Sequence, residues 1–224
     1  MRDSPHRMRL RQDNMSLFTR PWQIFFDERI RRMGEGSSRL LDIGAGLRLS
    51  REYGNRENPA LRWIADLIKE KKIDYVVLDY VDTYHPHIVG DIQDLPLPDN
   101  SEESIVCLAI LEHVENPFKS FAELYRVLAP GGRCLLYVPF LYYYHAERGY
   151  YHDYWRFTRD SLEALAKPFS TVEIQNVRGP LETLVRLSPL GRWNMWCDIA
   201  FILDRLSRKL DSQQTSGYYV WLVK

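Results

Sequence analysis

The chain has 224 residues, enough for a single domain with one large hydrophobic core. Its 30 basic and 30 acidic residues cancel, so the overall charge does not indicate a nucleic-acid partner. The sequence lacks a run of about 18 apolar residues, which a membrane span requires. It also lacks a signal-peptide pattern at its start, so the cytoplasm is the expected location.

Helix and strand signals alternate along the chain. Residues 1–18 are locally basic and poor in apolar residues, so we expect a mobile tail followed by one domain over 19–224. The first helix is predicted to open at Thr19 as its cap, with residues 34–38 leading into the first strand. Further helices are predicted at 58–71, 116–128, 158–166 and 193–210. Strands are predicted at 40–43, 73–79, 87–91, 104–110, 133–138, 171–177 and 218–223. This alternation predicts an α/β fold with a doubly wound, largely parallel sheet.

Three cysteines lie far apart in apolar segments: Cys107, Cys134 and Cys197. Their spacing fits neither a disulfide framework nor a zinc site, so buried thiols in a reducing compartment are predicted. The pair His85 and His87 is separated by a proline and has no third ligand nearby in the sequence. A plain loop is predicted there, and no metal site is expected.

Polar residues follow the predicted strands where each strand ends. Asp42 precedes a turn with Gly44 and Gly46, Asp79 ends the second strand, and Asp91 ends the third. Because carboxyl ends of parallel strands share one edge of a sheet, these residues predict a ligand crevice. Glycines in such a turn let the backbone approach a nucleotide-like ligand closely.

Five motifs carry a family resemblance. They lie at residues 42–46, 77–79, 90–96, 111–114 and 128–132, in the order seen in class I S-adenosylmethionine-dependent methyltransferases. The match resembles the type 11 subgroup most closely and covers roughly residues 39–177. It implies a Rossmann-like, seven-stranded sheet whose last strand, 218–223, is antiparallel. It also implies S-adenosyl-L-methionine as the cofactor.

The resemblance assigns cofactor contacts to the residues at the strand ends. Gly44 and Gly46 would approach the methionine portion, and Asp42 would organise the turn and the cofactor ammonium group. Asp79 would accept hydrogen bonds from both ribose hydroxyls. Asp91 would accept from the adenine amino group, while Ile92 packs on the ring. Any one aspartate alone is more simply a helix cap or a turn residue.

Glu112 and His113 follow the fourth strand, beside the expected position of the sulfonium. Glu112 is counted with the cofactor-binding residues, whereas His113 is equally well a structural histidine.

One spacing departs from the usual pattern. Asp42 and Asp79 are 37 positions apart, where about 20 separate the glycine turn from the ribose acid in dinucleotide folds. Arg48 stands at the third glycine of that pattern, which disfavours a dehydrogenase. Residues 47–57 are therefore predicted to form an enlarged loop. It either folds Arg48, Arg51 or Tyr53 over the cofactor carboxylate or is a surface insertion.

An aromatic segment, residues 139–158, follows the fifth strand. It holds six tyrosines, one tryptophan and two phenylalanines in twenty residues, and aromatic rings suit a sugar or a planar ligand. Residues 152–158 resemble a string in bacterial type 11 relatives, several of which are associated with cell-surface polysaccharide assembly. An oxygen of a carbohydrate or polysaccharide-linked acceptor is the predicted substrate. A packed lid is the alternative role of the segment. The predicted substrate-binding residues are Tyr143, Tyr144, Tyr154, Trp155 and Arg156.

Histidines of the same segment are the candidates for general base. An oxygen acceptor must lose its proton, and a histidine near neutral pKa suits this task. His145 and His152 are the catalytic candidates, with Asp153 to orient or replace one of them. A structural role is the alternative for each.

Residues 193–210 combine an apolar face with basic residues that follow it. They predict a helix that covers the sheet or forms a homodimer, or one that touches a membrane surface peripherally. Two other functions stay open for the whole chain: a small-molecule or N-methyltransferase, and a methyltransferase-like binding protein without catalysis.

Overall fold

The computed structural model describes residues 18–44 and 59–224. The predicted tail up to residue 17, Gly46 and the predicted enlarged loop 47–57 lie outside the described residues. So does Asn58, the predicted start of the second helix.

The described residues form a seven-stranded sheet with the order β3-β2-β1-β4-β5-β7-β6. Its strands are β1 Arg39–Ile43, β2 Asp74–Asp79, β3 Ile88–Val89, β4 Glu102–Leu108, β5 Leu128–Pro139, β6 Thr171–Val177 and β7 Gly217–Val223. β1 to β5 pair in parallel, whereas β7 lies antiparallel between β5 and β6. The predicted Rossmann-like sheet with an antiparallel last strand is confirmed.

Helices cover both faces of the sheet. They are α1 Pro21–Gly36, α2 Arg62–Lys71, α3 Pro117–Val127, α4 Arg159–Leu165, α5 Pro180–Leu187 and α6 Asn194–Leu206. Single 3-10 turns stand at Pro59–Leu61, Asp82–Tyr84, Leu111–His113 and Pro189–Arg192. Of the helices, α5 was not predicted from the sequence.

Two helix boundaries differ from the prediction. α1 has Arg20, not Thr19, at its cap position, with no side-chain cap, and it continues through Gly34 to Gly36. A Cβ atom at Gly34 would lie 2.8 Å from Leu67, so this glycine serves close helix packing and not helix termination. α6 ends at Leu206, four residues before the predicted end.

The core lies on both faces of the central strands. In β1, Leu41 and Ile43 pack on the face that α3 and α4 cover, whereas Leu40 packs on the face of α1 and α2. Side chains of a strand alternate between its two faces, so this short apolar run supports both layers at once. The three cysteines are free and buried in the core, as predicted.

Asp204 of α6 ties α6 to the start of α5. Its Oδ1 and Oδ2 accept hydrogen bonds from the backbone N–H groups of Leu181 and Glu182 at 3.0 and 2.9 Å. Gly179, at the cap position of α5, has no side chain to do this. Asp204 is fully buried and therefore replaces the missing cap from another helix.

We expect Asp204→Ala to lower the free energy of unfolding by about 2 kcal/mol, because it leaves two buried N–H groups without an acceptor. Urea unfolding measures this loss. Asp198→Ala, on the exposed side of the same helix, is the control and should cost well under half as much. Equal losses in both variants would show that the cap is not what Asp204 contributes.

The outer face of α6 is apolar and exposed, with Trp193, Met195, Trp196, Ile199 and Leu203 among its residues. No helix among the described residues is long and apolar enough to cross a membrane. Peripheral membrane contact and a homodimer through this face both stay predictions.

Candidate active site

A cleft of about 590 Å³ opens at the carboxyl ends of the parallel strands. Its volume is in the range of small-molecule and cofactor sites. The end of β1, the ends of β2 and β3, the turn after β4 and the aromatic segment border it. Polar and aromatic residues among its lining are Asp79, Tyr80, Asp91, Gln93, His113, Glu115, His145, Glu147, Tyr150, Tyr151, His152 and Tyr154.

Gly44 forms the part of the cleft at the end of β1. Its backbone has φ +115°, which side chains of L-amino acids rarely adopt, and its N–H donates to the carbonyl oxygen of Leu78 at 2.8 Å. A Cβ atom here would lie 2.6 Å from Ile110. Close packing and backbone conformation therefore both require glycine at this position.

Asp79, Asp91 and Ile92 all border the cleft, as expected from the sequence for a cofactor site. Oδ1 of Asp79 accepts from the N–H of Val81 at 3.1 Å, and Oδ1 of Asp91 accepts from the N–H of Gln93 at 2.8 Å. Both aspartates thus also hold their turns, which was the simpler interpretation of each alone. Holding the turn aims each carboxylate at the cleft, so the two roles are compatible.

Asp42 and Glu112, which were also predicted to bind the cofactor, are buried and do not line the cleft. Asp42 accepts a hydrogen bond from the hydroxyl group of Tyr75 at 2.5 Å.

Glu112, His113 and His145 lie together at the floor of the cleft. Their closest ligand atoms all lie within 4.8 Å of one another. Burial raises the pKa of Glu112 to about 7. Burial also lowers the pKa of His113, so this imidazole is neutral at neutral pH. These residues were not grouped from the sequence.

Asp153 lies behind His145 as part of an ion pair. Its carboxylate oxygens accept from both terminal nitrogens of Arg156 at 2.5 and 2.7 Å, and from the N–H of His145 at 2.8 Å. The hydrogen bonds from Arg156 are the largest of the effects that lower the pKa of Asp153 to about 2. A carboxylate so stabilised is a poor proton acceptor, which disfavours Asp153 as the base.

The predicted substrate-binding residues separate in the structure. Tyr154 alone of the five borders the cleft. Tyr143 lines a smaller cavity of about 170 Å³, where its hydroxyl donates to the carbonyl oxygen of Arg186 at 3.0 Å. Tyr144 is 76% exposed and lines neither cavity. Tyr150 and Tyr151, which the prediction omitted, border the cleft instead.

The later part of the aromatic segment, around Tyr154 and Trp155, is hydrogen-bonded to the 3-10 turn Leu111–His113, which carries Glu112 and His113. The N–H groups of Tyr154 and Trp155 both donate to the carbonyl oxygen of Glu112, at 2.8 and 3.2 Å. The indole N–H of Trp155 donates to the carbonyl oxygen of Val114 at 2.8 Å. Trp155 therefore anchors the segment and is not turned toward the cleft.

His87, one of the two histidines considered for metal binding, has a structural contact. Its Nδ1 accepts from the N–H of Val77 at 3.0 Å and fixes the loop to β2.

Comparison with known proteins identifies the domain. A family model described as a methyltransferase domain matches residues 41–136, the part of the chain that runs from β1 through β5. These residues form a methyltransferase domain of the S-adenosylmethionine-dependent type. S-adenosylmethionine is the cofactor of the domain.

Among curated proteins, the methyltransferase domain is similar to the ubiquinone/menaquinone biosynthesis C-methyltransferase UbiE of Rickettsia akari. The two are 27% identical over 152 residues, which are 62% of this chain and 58% of the relative. The biotin biosynthesis bifunctional protein BioHC of Teredinibacter turnerae is 31% identical over 113 residues, 45% of this chain and 20% of the relative. The chain thus spans less than two thirds of the length of either relative.

A SAM-dependent methyltransferase from Archaeoglobus fulgidus has the same fold. Its TM-score is 0.56 at 17% identity, with 89% of this chain and 93% of that chain covered. A methyltransferase of Haloferax volcanii, determined in complex with the Trm112 methyltransferase activator, gives a TM-score of 0.52 at 17% identity over 88% of this chain and 86% of that one.

Proposed function

We propose that the chain transfers the methyl group of S-adenosylmethionine to a hydroxyl oxygen of a carbohydrate or carbohydrate-linked acceptor. The observation that carries this proposal is the composition of the cleft. One end has Gly44 and two carboxylates that suit the cofactor, while tyrosines and histidines surround the other end.

The cofactor end uses Gly44, Asp79, Asp91 and Ile92. A carboxylate at the end of the second strand accepts hydrogen bonds from ribose hydroxyls in related nucleotide-binding folds. Asp91 offers an acceptor for an amino group, and the buried Ile92 offers an apolar surface for a ring. When bound, the cofactor supplies an electrophilic methyl group on a sulfonium.

The acceptor end uses the aromatic segment. Tyr150, Tyr151 and Tyr154 are 47%, 37% and 45% exposed and border the cleft. The face of a tyrosine ring packs on the C–H face of a sugar, while its hydroxyl bonds to sugar hydroxyls. Glu147 adds a carboxylate acceptor beside them. This mixture of flat apolar and polar groups favours a carbohydrate over a wholly apolar acceptor.

Methyl transfer to oxygen needs alignment and removal of one proton. The cleft holds the acceptor oxygen in line with the methyl carbon, and this proximity supplies much of the rate acceleration. The O–CH₃ bond forms as the C–S bond breaks, and the hydroxyl proton passes to a base. We assign the base to His152, which borders the cleft, because Nε2 of His145, the nitrogen left to accept a proton, faces the buried Glu112 at 3.6 Å.

We expect His152→Ala to lower kcat by about 100-fold, because general-base catalysis typically contributes a factor of this order. The affinity for S-adenosylhomocysteine should change less than threefold, since the imidazole is placed at the acceptor end. Steady-state kinetics and calorimetry measure the two effects. His85→Ala, at an exposed histidine, is the control. Unchanged turnover of His152→Ala on the methylated acceptor would refute the assignment.

The acceptor class is tested with methyl-labelled S-adenosylmethionine against nucleotide sugars, oligosaccharides, small amines and quinol analogues. Methyl ether formation on a sugar supports the proposal. Methylation of nitrogen or carbon alone would replace it by a different transferase activity. Cofactor binding without transfer to any acceptor of the panel would favour the non-catalytic binding protein.

A further inference from the structure

Two neighbouring strands bring Glu112, His113 and His145 together. Glu112 and His113 stand on the 3-10 turn Leu111–His113 after β4, and His145 follows β5 in the aromatic segment. β4 and β5 are adjacent and parallel, so the segments that leave their carboxyl ends meet at the same edge of the sheet. Residues far apart in the sequence thereby face one another at the cleft floor.

The carboxylate of Glu112 is fully buried, and neither of its oxygens has a hydrogen-bond partner among the described residues. Oε1 lies 3.6 Å from Nε2 of His145 and 3.8 Å from Nε2 of His113. These separations are too long for hydrogen bonds. A buried acceptor group left this way costs free energy, so its retention requires an explanation.

The two imidazoles are held with their other nitrogens engaged. Nδ1 of His113 contacts the carbonyl oxygen of His152 at 2.5 Å, and Nδ1 of His145 contacts that of Tyr143 at 3.0 Å. A carbonyl oxygen only accepts, so each Nδ1 carries the proton and each Nε2 keeps its lone pair. Both lone pairs belong to the nitrogens nearest Glu112.

Asp153 completes this arrangement behind His145. Its Oδ2 lies 3.3 Å from Nδ1 of the imidazole. A metal-binding histidine almost always donates its second nitrogen to a carbonyl or a carboxylate, which fixes the ring and raises the basicity of the ligating nitrogen. Both histidines of the cluster have this environment.

We infer that Glu112, His113 and His145 bind one divalent cation of the zinc class at the floor of the cleft. Two imidazoles and one carboxylate are the ligands of catalytic zinc sites that leave a further position open. A tetrahedral ion with bonds of about 2.1 Å separates its ligand atoms by roughly 3.4 Å. The two separations from Oε1 exceed this by less than about half an ångström, and all three ligand atoms lie within 4.8 Å of one another, so side-chain adjustments close the site around an ion.

The role of the cation rests on the proposed function. Both histidines border the cleft whereas Glu112 lies behind them, so the open position faces the acceptor. A cation there would act as a Lewis acid toward an acceptor hydroxyl, and His152 borders the same cleft to take the proton. The positive charge also offsets the cost of burying the Glu112 carboxylate.

Calorimetric titration of the metal-free full chain with zinc chloride tests the site without any acceptor. We expect one ion per chain, and an affinity about 100-fold weaker in Glu112→Gln, His113→Asn and His145→Asn. His85→Asn, at an exposed histidine, should bind zinc as the wild type does. Glu112→Gln keeps the shape of the side chain, and its thermal unfolding without metal checks that the fold is intact.

No zinc uptake by the wild-type chain would overturn the inference. An affinity of Glu112→Gln within twofold of the wild type would overturn it equally, because the ion would then be held elsewhere. Failure of the proposed function looks different. If zinc binds at the three residues but no sugar is methylated, the proposed acceptor class is wrong and the zinc site stands. Sugar methylation that is unchanged in EDTA and in Glu112→Gln rejects the role of the cation in the reaction and leaves the proposed function.

Discussion

Asp79→Ala is expected to weaken binding of S-adenosylhomocysteine by about 100-fold or more. Asp79 ends β2 and borders the cleft, where its carboxylate is placed to accept hydrogen bonds from two ribose hydroxyls. Hydrogen bonds to a charged group contribute about 1.5–3 kcal/mol each, so loss of both exceeds the roughly 2.7 kcal/mol that corresponds to 100-fold. Calorimetric titration measures the affinity directly.

Asp82→Ala is the matched control for this experiment. Asp82 lies three residues further along the same loop, has an exposed side chain and does not border the cleft. The Asp82→Ala substitution removes the same negative charge as Asp79→Ala, at a position a short distance away. If both variants lost affinity equally, the effect would come from net charge or loop folding and not from a contact to the ribose.

Gly44→Ala is expected to lower the free energy of unfolding by about 2–4 kcal/mol and to abolish measurable cofactor binding. The new methyl group would combine a strained backbone with a 2.6 Å approach to Ile110. The chain can relieve this clash only by moving the segment of Gly44 or that of Ile110. Either movement changes the shape of the cleft, because both residues border it. Denaturant unfolding and calorimetry measure the two losses.

Gly131→Ala separates the two causes. Gly131 also has a positive φ, +76°, but a Cβ atom there would have no neighbour within 4 Å. The variant should therefore show only the backbone cost, about 1 kcal/mol, with cofactor affinity unchanged. A destabilisation as large as that of Gly44→Ala would mean that the contact with Ile110 contributes little.

The strands and the cofactor end of the cleft could be predicted because their causes are local. β1 needs a short apolar run, and the residue after such a strand lies at the edge of the sheet wherever the rest of the chain goes. For this reason Asp79 and Asp91, at the ends of predicted strands, border the cleft. α5 was missed because its cap is Asp204, more than twenty residues later in the chain.

The acceptor end depends on contacts between distant residues. Nothing in the sequence indicates that Trp155 donates to Val114 or that Tyr143 turns to a second cavity, so composition alone overcounted the residues of the cleft. The grouping of His145 with Glu112 had one available signal. Both follow strands that the class I resemblance makes adjacent.

The backbone N–H groups of Tyr154 and Trp155 both donate to the carbonyl oxygen of Glu112. These two hydrogen bonds divide the aromatic segment into two parts that are held differently. The later part is fixed to the sheet edge by backbone hydrogen bonds, so it moves only with Glu112 and His113. His145 stands on the part before it, which Asp153 holds at the N–H of His145 and Arg156 holds at the carbonyl oxygen of Tyr143. If a bulky acceptor entered by displacing this earlier part, His145 would move away from Glu112 and His113. The cluster of Glu112, His113 and His145 therefore opens through movement of His145, because the other two residues stay with the sheet edge.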